Sequence, residues 1–116
     1  MATLTHETVL RRFAERFAAS AALAEQGRQA IPHGYSRGTF NFGPNAIYVT
    51  GGDGAYMDTV DGHRLLDLNN NFTVNVLGHH HPAISQALID AIPGGISFGN
   101  PIAEEAVLAR MLIDRI

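Results

Sequence analysis

Apolar positions along the chain change their period twice. Between residues 5 and 29, Leu10, Phe13, Phe17, Ala21 and Ala24 recur at steps of three and four, with Arg11, Arg12, Glu15 and Arg16 on the other side. That spacing predicts one helix over 5–29, capped by Thr5 and closed by Gly27 and Pro32. Its alanine-rich second half offers only a weak stripe, so the helix needs a surface to dock on. Residues 32 to 46, PHGYSRGTFNFGPNA, then lose all periodicity. They read as a loop with Tyr35, Phe40 and Phe42 to bury, and long loops of this kind tend to be functional.

Short apolar runs follow, over Ile47–Thr50, Ala55–Asp58 and Arg64–Leu68, separated by Asp53-Gly54 and Asp61-Gly62. Asp-Gly between apolar runs is a strong hairpin signal, so a three-stranded antiparallel meander is predicted, with a further short strand over Thr73–Val76. Pro82 suits the first turn of a helix, where its missing N–H has no partner to lose. That helix is expected to run to about Ile92, with Ala83, Ile84, Ala87, Leu88 and Ala91 on one face and Pro93-Gly94-Gly95 as its stop. After a loop over Ile96–Pro101, a third helix is predicted to the last residue. Leu108, Met111, Leu112 and Ile116 still follow its apolar stripe. With no stop signal there, the chain is expected to be the front of a longer protein. The pattern as a whole is α+β: an N-terminal helix, a three-stranded antiparallel meander and two helices.

With 46% hydrophobic and 16% charged residues, the 116-residue chain is globular material and not a disordered tail. A net charge of -3 without a basic run argues against nucleic acid as a partner. No apolar run approaches the ~20 residues of a membrane span, and the N-terminus lacks the order of a secretion signal. Cysteine is absent, which removes thiolate chemistry and disulfides and favours a cytoplasmic location.

Two groups of side chains suggest chemistry. His79, His80 and His81 could hold a metal, and a small non-catalytic binding module using them is one alternative. Adjacent side chains diverge, however, and helical ligand pairs sit at i and i+4, so no metal is assigned. Arg37, within Tyr35-Ser36-Arg37-Gly38, carries a planar fork that matches a carboxylate in two parallel hydrogen bonds. Asp53, Asp58, Asp61 and Asp67 stand at turns and strand edges, where aspartate is usually structural. They receive no catalytic role, and no catalytic residue is assigned anywhere in the chain.

Three blocks in order, GDGAYMDTVDG, the LGHHHP junction and SFGNP before a Glu-containing helix start, resemble the class III aminotransferases. These are pyridoxal-phosphate enzymes of fold type I, and the resemblance is to the branch with glutamate-1-semialdehyde aminomutase and β-amino-acid aminotransferases. It covers roughly residues 31 to 116. It implies an enzyme that moves an amino group between an amino donor and a carbonyl acceptor, or isomerises as an aminomutase, and that works as a homodimer. Residues 1–30 would be an N-terminal helix. Residues 31–116 would be the N-terminal part of the small domain and the start of the interface helices, with the large cofactor domain elsewhere. The resemblance assigns Ser36 and Arg37 to the substrate carboxylate and Phe72 to the substrate side of the cofactor. It assigns Ser97 and Phe98 to a loop that reaches the partner's active site. Such enzymes hold pyridoxal phosphate on a lysine. This chain has no lysine, so the cofactor-binding residues are expected beyond residue 116, and the chain alone is expected to be inactive.

Overall fold

In the computed structural model, which describes residues 4–40 and 43–116, Thr5 opens the first helix as expected. Its hydroxyl accepts the N–H of Thr8 at 3.2 Å, satisfying one donor of the first turn. Helix α1 spans His6–Arg16 and α2 spans Ala18–Arg28. The single helix expected over 5–29 is therefore broken at Phe17, where φ is -118° and ψ is 42°. Two tertiary contacts account for the break. The Phe17 ring is buried, 4.8 Å from the Phe13 ring and edge-on to His63 at 5.6 Å. The fresh N-terminus of α2 is capped from far along the chain: Asp61 Oδ1 accepts the N–H groups of Ala19 at 2.7 Å and Ser20 at 3.1 Å.

The Asp61 contact is the root of a polar chain that runs through the first part of the fold. The Ser20 hydroxyl, fully buried, donates to Asp61 Oδ2 and accepts the N–H of Tyr48 at 2.9 Å. The Tyr48 hydroxyl in turn donates to the Gly34 carbonyl at 2.8 Å. Helix α2, the loop after it and the entry to the sheet are thus joined by one partly buried network. Burial pushes the Asp61 carboxyl up, but the bonds from Ser20 and Ala19 and the nearby His63 outweigh it and hold it below the usual carboxylate range. Asp61→Ala removes a helix cap and strips a buried hydroxyl of its acceptor. It is expected to cost about 2 kcal/mol, read as a lowered thermal midpoint of the purified protein, with Asp61→Asn recovering part of it.

The meander forms with β1 at Val49–Asp53, β2 at Tyr56–Thr59 and β3 at Arg64–Leu66, ordered β1-β2-β3 and antiparallel throughout. β1 lies later than the apolar run Ile47–Thr50 that predicted it and takes in Gly51, Gly52 and Asp53. The turn decides this. Asp53 pairs with Tyr56, leaving Gly54-Ala55 as a two-residue connection in which Gly54 takes the positive φ of 54°. An irregularity between Val49 and Gly51 absorbs the extra residue.

The structure divides into two compact units, Met1–His81 and Pro82–Ile116. In the second, α3 spans Pro82–Ala91, a short 3-10 turn covers Ile92–Gly94, and α4 spans Ala103–Ile113. The Glu105 carboxylate accepts the Ile102 N–H at 3.2 Å and so closes the start of α4. This helix was expected to reach Ile116 and stops at Ile113. There the Arg115 N–H turns to the Leu112 carbonyl, and the ladder tightens and ends. No described residue after Pro82 is buried, so the apolar stripes of α3 and α4 face outward.

Candidate functional site

The segment that follows β3 departs most from expectation. In place of a strand over Thr73–Val76, residues Asn70, Asn71, Phe72 and Thr73 all take positive φ, between 49° and 66°. Asn71 lies at φ 49°, ψ 50° and Phe72 at φ 57°, ψ 45°, so the chain makes a turn of left-handed helix. Consecutive left-handed residues are rare, because Cβ then crowds the next carbonyl at roughly 1–2 kcal/mol per residue. Asparagine tolerates the region best after glycine. Phenylalanine and threonine do not, and they sit here only because the surroundings hold them.

Asp67 is the main restraint. Its side chain is 6% exposed. Oδ1 accepts the N–H groups of Asn69 at 3.0 Å and Asn70 at 2.8 Å, and Oδ2 bonds His79 Nε2 at 2.8 Å. The Asn70 N–H holds the Asp67 carboxyl below its ordinary range. Burial opposes this, and the His79 side chain and the Asn69 N–H reinforce it. Asn69 adds a second restraint, its Oδ1 accepting the Phe72 N–H at 3.0 Å. The Thr73 N–H closes the turn on the Asn69 carbonyl.

His79 is fixed as firmly as its partner. Its N–H and carbonyl exchange two hydrogen bonds with Gly54, at 2.8 and 3.0 Å, and so add a bridge to the tip of the first hairpin. A Cβ on Gly52 would stand 2.8 Å from the imidazole, and one on Gly78 (φ 79°) would stand 2.6 Å from the Gly54 carbonyl oxygen. Only glycine permits either approach. The glycine-rich hairpin and the LGHHHP junction therefore form one device that presents His79 to Asp67. The three histidines do not converge. His79 is spent on Asp67, and His80 turns through a positive φ of 52°. Among the described residues, no three His, Cys, Asp or Glu side chains could hold a metal ion. The buried His81 Nδ1 has no protein partner there.

The loop before the sheet reaches the left-handed turn. Arg37 lies between the 3-10 turns Pro32–Gly34 and Gly38–Phe40, and its Nη1 donates to Asn71 Oδ1 at 2.9 Å. Arg37 is exposed, and Phe72, next to Asn71, is 53% exposed. Arg37 therefore stands beside the turn that carries Phe72, 35 positions along the chain. Among the described residues no carboxylate lies within ion-pair distance of Arg37, as is also true of Arg12, Arg16 and Arg115, whereas Arg11, Arg28 and Arg110 each have one and Arg64 has two. Ser36 is exposed next to Arg37. Phe40 keeps its place in a 3-10 turn, and the aromatic at position 42 falls outside the described residues. Ser97 and Phe98 lie in the second unit, in the connection between α3 and α4. There Phe98 folds back on its own loop, its ring filling the space where Gly95 has no Cβ. The residues missed in the sequence are Asn71, which holds Arg37, and the Asp67–His79 pair, which holds the turn. A run of three asparagines after an aspartate is the local signal for such a turn.

No residue of this chain can form a Schiff base through a lysine, because there is none. What the described groups present is a cation at Arg37, bonded to Asn71, and an exposed ring at Phe72, the next residue in the chain.

No protein-family model matches the chain. Among solved structures it is similar to a β-phenylalanine aminotransferase from Variovorax paradoxus, at TM-score 0.88 and 32% identity, over 95% of this chain and 26% of that one. It is similar to an omega-transaminase from Sphaerobacter thermophilus, at TM-score 0.80 and 36% identity, over 84% of this chain and 22% of that one. A glutamate-1-semialdehyde aminomutase from Pseudomonas aeruginosa shares the fold, at TM-score 0.86 and 22% identity, over 94% of this chain and 24% of that one. In fold and in sequence the chain belongs to the class III, pyridoxal-phosphate-dependent aminotransferases, and it spans about a quarter of the length of the members it matches.

Proposed function

We propose that these residues form the substrate-carboxylate side of an aminotransferase that takes an amino acid as donor and a carbonyl compound as acceptor. The observation that carries the reading is Arg37: a permanent cation, oriented by a neutral amide, without an acidic partner among the described residues, and beside the turn that carries an exposed aromatic ring. An amino acid brings the missing carboxylate, and the guanidinium fork fits it in two parallel hydrogen bonds. Ser36, next in the chain, adds a hydroxyl to the same end of the substrate. Phe72 covers the carbon skeleton on the other side and excludes water from it.

Pyridoxal phosphate, when bound, supplies the electron sink that labilises the bond at the amino carbon. Its lysine and its phosphate and pyridine contacts belong to a large domain outside these residues. The chain's own groups bind the donor by its carboxylate and so orient its amino group. In this reading residues 31–116 contribute to the small domain and the first interface helices. The enzyme works as a cytoplasmic homodimer in which Ser97 and Phe98 approach the partner's site. The two transaminases described above each exceed 30% identity, which favours transfer to a second molecule over isomerisation within one. Among the described residues, no helix is long and apolar enough to cross a membrane.

The test is amino transfer itself. The complete enzyme, supplied with pyridoxal phosphate, a panel of α- and β-amino acids and a keto-acid acceptor, is expected to form keto product and aminated acceptor in equal amounts. It is also expected to prefer amino acids to the matching amines without a carboxylate. Absence of transfer across the panel would remove this reading.

A further inference from the structure

We infer that Asn71 is a positioning residue that sets the preference of Arg37 for donors carrying a carboxylate; the inference rests on the reading of Arg37 given above. A guanidinium has five N–H donors, and Asn71 Oδ1 uses one of them, at Nη1. The bond fixes the plane of the fork and leaves other donors for a ligand. Because the amide is neutral, the positive charge is undiminished. A carboxylate at the same place would hold the fork equally well, but it would also neutralise it and occupy the site the substrate needs.

The backbone at this position accepts either residue. Asn71 sits at φ 49°, ψ 50°, a conformation that asparagine, aspartate and glycine all tolerate. Local geometry therefore does not choose the amide over the acid. The task at Arg37 does. The turn that carries Asn71 is itself held by Asp67 through the Asn69 and Asn70 N–H groups. A buried carboxylate thus acts at one remove, fixing the backbone from which a neutral amide reaches an exposed cation. The negative charge of Asp67 is spent inside the turn, on N–H groups and His79.

The same tolerance supplies variants that keep the turn. In the holoenzyme, Asn71→Asp keeps the left-handed backbone and adds a competing charge, and Asn71→Gly keeps the backbone and removes the bond. The readout is the ratio of kcat/KM for an amino acid to kcat/KM for its decarboxylated amine. Asn71→Asp is expected to lower that ratio about tenfold, mainly through KM for the amino acid. Asn71→Gly is expected to lower it about threefold, and the amine is expected to be unaffected by either. Arg37→Ala is the control. If Arg37→Ala lowers the ratio while both Asn71 variants leave it at the wild-type value, Asn71 only builds the turn and the inference is overturned, with the reading of Arg37 intact. Equal losses on both substrates, or a fall in thermal midpoint large enough to account for the losses, overturn it likewise. An unchanged ratio in Arg37→Ala removes the reading and the inference together.

Discussion

Asp67→Ala is expected to release the left-handed turn and to destabilise the protein by about 3 kcal/mol, the loss of a buried carboxylate with three charge-assisted hydrogen bonds. Two consequences follow from the geometry. The Asn69 and Asn70 N–H groups lose their acceptor, so their hydrogen exchange is expected to accelerate by about tenfold or more. The strained dihedrals of Phe72 and Thr73 lose what holds them, so substrate preference changes along with stability. Asp67→Asn keeps an acceptor and gives up the charge, and it is expected to fall between wild type and alanine. The pH dependence has a definite sign. Asp67 and Asp61 both have folded-state pKa values below the ordinary carboxylate value. Their contribution is complete above the unfolded value of about 3.9 and is lost as pH falls through the lower folded values. Wild-type stability is expected to drop in that acid window. The Asp67→Ala variant, already without its share, is expected to drop less. An Asp67→Ala protein with wild-type thermal midpoint and unchanged exchange at Asn69 and Asn70 would show that the turn is held by something else.

The elements that the apolar pattern announced are the ones whose causes are local. Thr5 caps α1 within three residues, the two glycine turns set the meander, and Pro82 opens α3. Where the expectation failed, the cause lay far along the chain. The break at Phe17 is imposed by Asp61, which supplies a cap to α2 from the β2–β3 connection. The shift of β1 into Gly51-Gly52 is imposed by pairing, against the low strand preference of glycine. The left-handed turn has a local signal in Asp67-Leu68-Asn69-Asn70-Asn71. Phe72, Thr73 and Val74 favour extended structure, and the bonds of Asp67 and Asn69 to the N–H groups of the turn, with His79 on Asp67, override that preference. The candidate site was legible in part for the same reason. Arg37 and Phe72 stand out by residue type and by resemblance. Asn71, which joins them, has no chemistry of its own to advertise it, and its role exists only because the loop and the turn meet. Asp67 is structural, and what it holds is the turn of the candidate site.

Arg37→Ala is expected to have the largest functional effect. Loss of a charge-assisted bidentate contact costs roughly 1.5–3 kcal/mol, or about tenfold to a hundredfold in the specificity constant for amino acids. Amines that lack the carboxylate never made that contact, so their specificity constants are expected to hold near the wild-type value. Arg37→Lys keeps the charge and loses the planar fork, and it is expected to recover little. Arg37 is exposed and pairs with a neutral amide, so its removal leaves no buried charge stranded and the fold is expected to survive.

The central claim, that this part of the chain recognises the carboxylate of an amino donor, is tested most directly by one ratio: kcat/KM for an amino acid over kcat/KM for its decarboxylated amine, in the wild-type holoenzyme and in Arg37→Ala. A ratio that falls by about tenfold or more, with the amine unaffected, is the result the account predicts. An unchanged ratio would mean that Arg37 is a solvated loop residue and that the carboxylate is held elsewhere.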